Sequence, residues 1–353
     1  MPAAARAGRW KRVSFWLSLA LPVGLLSLIV ASVDLPAVFR NVRQANLGYA
    51  LGALLVAFLI PIALLVWRWQ WILQRFYGVR VAYRFLLAEY WIAMFAGYWV
   101  PAGVGSDVYR ALRVGKAAGG VPANAAAVVG EKVWSLLVYG ILVLVSYPLV
   151  AASLATRPQL RQAVFQIAVF SALAVAALLL ALLLKDPMAG RLRQALEGKL
   201  LDRLGAMAQG ILRSAAGGGE TVTFSALLSP FFLWRNQAVG LGVTIAIQLI
   251  TTLGGRLLLL ALGVDLPFVV HLFVWALMNF FMLLPVSIAG FGVREASFIL
   301  LFGLFGVSRE TSLAASFLAL ACTLAAIGPG GLVWLSRAFE RRTGTRAGAE
   351  PES

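Results

Sequence analysis

Apolar runs of span length, separated by short polar segments, set the pattern of this chain. Val13 to Val33 is the first run, preceded by Arg6, Arg9, Lys11 and Arg12. A cleaved signal peptide is the rival for it. Val30-Ala31-Ser32 makes a poor cleavage site and the run is long for a signal core, so it reads as an uncleaved first span with a cytoplasmic N-terminus. Leu47 to Trp67 is the second span. It ends in Trp67-Arg68-Trp69-Gln70-Trp71, an aromatic and basic anchor of the kind found at membrane interfaces. Further spans are expected at Ala125 to Leu149, Ala163 to Leu184, Ala238 to Leu262 and Thr311 to Leu335. The last is expected to be loosened by Gly328-Pro329-Gly330-Gly331.

Two apolar runs do not fit a simple crossing. Phe85 to Val100 is about 16 residues, against the ~20 that a bilayer needs. Arg110, Arg113 and Lys116 follow it, and a full crossing would leave them outside, against the positive-inside bias. A re-entrant hairpin turning at Pro101-Ala102-Gly103-Val104-Gly105 removes both conflicts. Phe268 to Leu284 makes a second such approach, turns through Pro285-Val286-Ser287-Ile288-Ala289-Gly290-Phe291-Gly292, and leads back through Ala296 to Phe305. Aligning Pro285 with Pro101 also places Arg294 on Arg110, Trp275 on Trp91 and Met278 on Met94. Six full spans with both termini inside then make the first hairpin open to the cytoplasm and the second to the outside. The expected fold is all-α and polytopic, a single transmembrane domain. Its halves, about 47–150 and 238–336, form an inverted repeat. Inverted repeats with broken helices near the midplane are a transport architecture.

Between the halves, Lys185 to Arg235 is polar. Leu192, Leu196, Leu200, Leu204, Met207 and Ile211 recur at helical spacing there, with Arg193, Glu197, Asp202, Arg203 and Arg213 on other faces. That is an amphipathic linker for the cytoplasmic interface. Residues 343–353 have the composition of a disordered tail.

Composition narrows the class. Of 353 residues, 61% are apolar and 12% charged, with a mean hydropathy of +0.88, which excludes a soluble domain. One cysteine, Cys322, and one histidine, His271, exclude an internal disulfide, a histidine-based triad and a Cys/His metal centre. A lone histidine in an apolar run is ordinarily a packed, neutral side chain. The net charge of +16 flanks the apolar runs, so it suits loop topology and anionic lipid headgroups and not nucleic acid. No Walker motif is present, so ATP is not expected to drive the protein directly, and no cofactor or metal is expected.

Charged residues inside spans are costly and tend to mark pathways. Arg110 and Arg294 follow the two helix breaks, and an arginine fork suits bidentate contact with phosphate. Asp107 shares a helical face with Arg110, and Glu131 and Glu295 are candidate counter-ions. These five are the expected substrate-binding residues, for a lipid whose phosphate crosses while its tails stay in hydrocarbon. Pro101, Gly103, Gly105, Pro285, Gly290 and Gly292 are the expected helix breaks, though the glycines also suit ordinary tight turns. Glu89, Arg113, Lys132 and Arg256 are secondary candidates. The plainer alternatives stand beside them: Glu131-Lys132 as an interfacial helix end, Arg256 snorkelling at the outer boundary, and Glu89 packed against a nearby arginine.

With those motifs in view, the chain resembles the lysylphosphatidylglycerol synthase transmembrane-region family, the flippase-like membrane proteins. The likeness rests on Pro101 to Ala111 with Glu131-Lys132 downstream, and on the Gly290-Phe291-Gly292-Val293-Arg294-Glu295 turn, and extends over about residues 10 to 340. In multiple peptide resistance factors this region flips an aminoacylated phospholipid made by a separate synthase domain. The resemblance here is to the stand-alone form. It implies a bacterial inner-membrane translocator of a phosphate-bearing lipid, working with a separate lipid-modifying enzyme. The alternative is an integral-membrane glycosyltransferase, or an accessory to one, in lipid-linked glycan synthesis. No D-x-D motif supports the enzyme, and the translocator is preferred.

Overall fold

The computed structural model describes residues 24, 27–29, 31–100, 105–118, 120–155, 157–183, 231, 234–282 and 292–343. The expected first span, the 185–235 linker, the tail, and the break residues Pro101, Gly103, Pro285 and Gly290 lie wholly or largely outside them.

Every regular element among the described residues is helical. Helix α1 is Leu35–Arg43. Helix α2, Leu47–Tyr77, contains a π-helical stretch at Leu54–Leu59. Helix α3 is Tyr83–Tyr98. Helix α4 covers 105–117, with a π-helical stretch at Arg110–Val114. Then follow α5 (Val121–Ser153), α6 (Pro158–Leu183), α7 (Trp234–Leu260), α8 (Phe268–Met282), α9 (Val293–Gly303) and α10 (Arg309–Thr343). Four segments among the described residues are long and apolar enough to cross a membrane: Leu47–Tyr77, Val121–Ser153, Asn236–Leu260 and Arg309–Glu340. Each exceeds the ~20 residues that a ~30 Å hydrocarbon core demands. Apolar side chains at helical spacing also remain exposed. Ile141, Val145 and Leu149 make one such stripe on α5, and Leu332, Leu335 and Phe339 another on α10. Stripes of this kind are stable facing lipid and a liability facing water. The chain is a multi-pass membrane protein.

Local sequence accounts for the helix ends. Asn46 Oδ1 accepts the Tyr49 N–H at 3.2 Å and caps α2. Pro36 sits in the first turn of α1, and Arg40 and Arg43 in its last, where the helix dipole favours cations. Gly120 takes φ +84 to turn the chain into α5, and Gly292 takes φ +77 to start α9. Helix α2 does not stop at Trp67 as the pattern suggests. It continues for another ten residues, with Val66, Trp69, Ile72 and Leu73 forming its buried face. Helix α10 likewise runs unbroken through Gly328 to Gly331, with Pro329 inside it.

The chain forms two compact units. The first comprises Met1–Ala63, Leu87–Asp107 and Ile247–Ser353, and the second Leu64–Leu86 and Val108–Ala246. Each unit therefore draws segments from both sequence halves. In the first unit, Val38 of α1 and Ile29 pack with Leu313 and Ala314 of α10. Gly330 of α10 lies so close to the Trp91 carbonyl that a Cβ there would stand 2.0 Å from the oxygen. The end of α3 and the start of α4 are also in close contact. A Cβ on Gly97 would meet the Ser106 nitrogen at 2.2 Å, and one on Gly105 would meet Val100 at 2.7 Å. In the second unit, α5 packs on α6 with Gly140 against Val175, and Phe231 fills the space beside Gly130.

Candidate functional site

In the second unit, three helices bring charged side chains to one buried point. The π-helical stretch of α4 starts at Arg110 and buries Arg110, Ala111 and Val114. Turns of this type add a residue to the helical repeat and are frequent at functional sites. Gly115, which touches the start of α5, allows the two helices to approach closely. Glu131 lies on α5, three turns into the helix, and Arg68 on α2.

Arg110 Nη2 donates to Glu131 Oε2 at 2.7 Å. Arg68 Nε stands 3.6 Å from the other carboxylate oxygen, Oε1, and Arg68 Nη1 donates to Thr244 Oγ1 at 2.7 Å. All three charged side chains are buried, Arg68 at 2%, Arg110 at 5% and Glu131 at 4% exposure. The Arg110 guanidinium also sits over the Trp69 ring, 4.8 Å from its centroid, a cation–π contact. Two guanidinium groups thus share one carboxylate in an apolar interior. A charge there survives only when it is paired.

An aromatic wall continues from this point. Trp134, one turn beyond Glu131, donates through Nε1 to Gln237 Oε1 at 2.7 Å and lies against Trp71, Phe76 and Phe231. Gln237 in turn donates to the Phe231 carbonyl. Trp71 also borders an open cleft lined by Gln74, Arg75, Gly78 and Arg80.

The first unit holds the other predicted pair. Glu295, at 1% exposure, accepts the Gly292 N–H through Oε2 at 2.7 Å and so caps the first turn of α9. Its Oε1 receives Arg294 Nη2 at 2.5 Å and Nε at 3.0 Å. Ser316 of α10 bonds both partners, accepting from Arg294 Nε at 3.1 Å and donating to Glu295 Oε1 at 3.3 Å. The arrangement is a guanidinium held beside a helix start by a buried carboxylate and a hydroxyl.

The family model described as the lysylphosphatidylglycerol synthase TM region matches residues 15–331. The chain belongs to that family. Comparison with the curated proteins and with the solved structures gives no match. As a member of the lysylphosphatidylglycerol synthase TM-region family, the protein is a multi-pass membrane protein related to lipid handling.

Within this family member the remaining sequence candidates fall as follows. Asp107 is half-buried in the Gly105–Tyr109 turn of α4. Arg113 and Lys132 are half-buried beside Arg110 and Glu131 in the chain. Glu89 is fully buried and accepts from Arg337 Nη1 at 2.6 Å. Arg256 pairs with the exposed Asp265 at 2.9 Å, on the rim. Sequence reasoning missed Arg68, which it placed in an interfacial anchor, and Thr244, which it did not single out. The one clue to Arg68 was its position within a helical repeat of apolar residues, Val66, Trp69, Ile72 and Leu73, that runs past the expected end of the span.

Proposed function

We propose that this family member translocates a phosphate-bearing lipid across the bacterial inner membrane. The observation that carries the proposal is the pair of buried arginines, Arg68 and Arg110, sharing Glu131. A lipid phosphate presents several oxygens to two forks, whereas Glu131 offers one close contact and one long one. The headgroup displaces Glu131 and takes both guanidinium groups. The tails stay in hydrocarbon, which suits exposed apolar stripes such as those of α5 and of α10. Arg75 and Arg80 give the cleft beside Trp71 a positive lining that collects the headgroup before it reaches the pair. In the first unit, Arg294, held by Glu295 and Ser316, is the second phosphate clamp.

The transport cycle we propose is alternating access between antiparallel halves. It has six full spans, two re-entrant hairpins and cytoplasmic termini. The support is the matched order of proline, glycines and arginine in Pro101–Arg110 and Pro285–Arg294. A phosphate that crosses hydrocarbon must never lose its charge partner. One central charged side chain alone costs about 2.5–3.5 kcal/mol on insertion scales. A clamp for each side meets that requirement.

The test is reconstitution in liposomes with a headgroup-labelled fluorescent phospholipid, reading label access to dithionite. Wild-type protein should expose inner-leaflet label well beyond the half accessible in empty vesicles. Arg68→Lys and Arg110→Lys should fold and lose most of that gain, because an ammonium keeps the charge without the fork. Full-rate translocation by both folded variants would rule the proposal out.

A further inference from the structure

The open cleft at the end of α2 is built by a reversal of the chain. Helix α2 is 31 residues long, about 46 Å, against the ~30 Å of a hydrocarbon core, so its polar last turns stand at headgroup level. Gly78 takes φ +68 and turns the chain back. Two hydrogen bonds hold the returning segment. The Val79 N–H donates to the Leu73 carbonyl at 3.0 Å, and Gln70 Nε2 donates to the Val81 carbonyl at 2.7 Å. Arg80, between those two anchors, is thereby set on the cleft that Trp71, Gln74 and Arg75 line from the helix. The cleft holds about 460 Å³, the size of a small-molecule site.

Its lining is of one sign. Trp71 and Arg75 are one turn apart on α2 and share a face. The Trp71 ring is held by Phe76, edge-on at 5.3 Å, and by Trp134 at 6.4 Å between centroids. Gln74, Arg75 and Arg80 are exposed. Neither guanidinium is paired with a carboxylate among the described residues. The C-terminal end of a helix carries about half a negative charge, which two full positive charges outweigh. The cleft therefore attracts anions.

The same charges bear on what else a headgroup can carry. An ammonium would need a carboxylate. Glu131 is the one acidic side chain among the described residues of this unit, and Arg68 and Arg110 already hold it. The Trp71 indole attracts an ammonium only through its ring quadrupole. Two guanidinium groups in the same cleft repel it with full charges. An uncharged hydroxyl meets no such opposition, and the Gln74 amide can both donate to it and accept from it.

We propose that this cleft selects a phosphate ester that carries hydroxyls and no ammonium, and so rejects ethanolamine and aminoacyl headgroups; as the selector of the transported lipid, it rests on the translocation proposed above. The two non-bridging oxygens of a phosphodiester meet the forks of Arg75 and Arg80. Gln74 takes a headgroup hydroxyl, and the Trp71 ring lies against the carbon skeleton.

The experiment titrates the full chain in detergent with dioctanoyl phosphatidylglycerol, phosphatidylethanolamine and lysyl-phosphatidylglycerol, reading binding by calorimetry. Phosphatidylglycerol should bind at least about tenfold more tightly than either ammonium-bearing lipid. Arg75→Gln/Arg80→Gln should lose at least about fivefold of the phosphatidylglycerol affinity and leave phosphatidylethanolamine unchanged. Arg75→Lys/Arg80→Lys should bind more weakly than wild type and keep the preference, because the charges remain without the forks. Equal affinities for the three lipids, or undiminished phosphatidylglycerol binding by the folded glutamine variant, would overturn the proposal. If that variant does not fold, the two single glutamine substitutions decide, and full affinity in both overturns it. Glycerol 3-phosphate is the same chemistry without tails. Arginine-dependent binding of it as tight as that of the lipid supports the chemistry and overturns a lipid as its source. Liposomes with acyl-labelled phosphatidylglycerol or phosphatidylethanolamine, whose headgroups are native, separate the two readings. Selective binding without movement of either lipid keeps the cleft and removes translocation. Equal movement of both keeps translocation and removes the selection.

Discussion

Glu89 and Arg337 are 248 residues apart in the chain, and Arg337 Nη1 donates to Glu89 Oε1 at 2.6 Å. The glutamate side chain is fully buried and the arginine is 21% exposed. They join α3 to α10, near the place where Gly330 lies on the Trp91 carbonyl. Removing one member of a buried pair strands the other. Arg337→Ala should therefore lower stability by about 3–5 kcal/mol. The double variant Glu89→Leu/Arg337→Met should recover much of that loss. Thermal unfolding in detergent, read as a double-mutant cycle, checks both, and additive losses would mean that the pair is not coupled.

The same crossing separates two neighbouring glycines. Gly330→Ala should destabilise by about 1–3 kcal/mol, because its Cβ has no room beside the Trp91 carbonyl and one of the two backbones must move. At Gly328 a Cβ would meet nothing within 4 Å. Gly328→Ala should therefore be neutral or stabilising by up to about 1 kcal/mol. Equal effects of the two substitutions would contradict the close approach.

Glu131→Gln keeps the side-chain shape and removes the carboxylate shared by Arg68 and Arg110. With only a neutral amide to displace, a phosphate-bearing lipid should bind more tightly and leave more slowly. Lipid retained through purification, measured by native mass spectrometry, should rise while translocation in liposomes falls. Weaker lipid retention in a folded Glu131→Gln protein would show that the glutamate does not hold the phosphate's place.

Arg294→Lys should fold and lose most translocation, since an ammonium cannot reproduce the fork that meets Glu295 and Ser316 together. Glu295→Ala should be worse. It removes the acceptor for the Gly292 N–H, worth about 1 kcal/mol for a helix cap, and also leaves Arg294 without its carboxylate. Circular dichroism separates the folding loss from the transport loss. Normal transport by both would make Arg294 a residue that only closes the turn.

Cysteine labels at Gly103 and Gly290, in a Cys322→Ser background, should react with an impermeant maleimide from opposite faces of the membrane. Labelling of both from one face would remove the inverted repeat, and with it the requirement for one clamp per side.

The sequence alone determined the membrane class and the approximate places of the long helices, and it named Glu295 as a candidate counter-ion for Arg294. Hydropathy, helical period and capping depend on covalent neighbours, and those two residues are adjacent. The tertiary structure decided the rest. Arg68 lies within an aromatic and basic cluster, and a local window cannot distinguish an interfacial anchor there from a buried guanidinium. Only the packing of α2 against α4, α5 and α7 brings it to Glu131 and Thr244. Glu89 had many possible arginine partners, and Arg337 is chosen by the crossing of α3 with α10. Burial and ion pairing are properties of facing helices, and in a membrane chain, where nearly every helix is apolar on several sides, the hydrophobic pattern leaves open which faces meet.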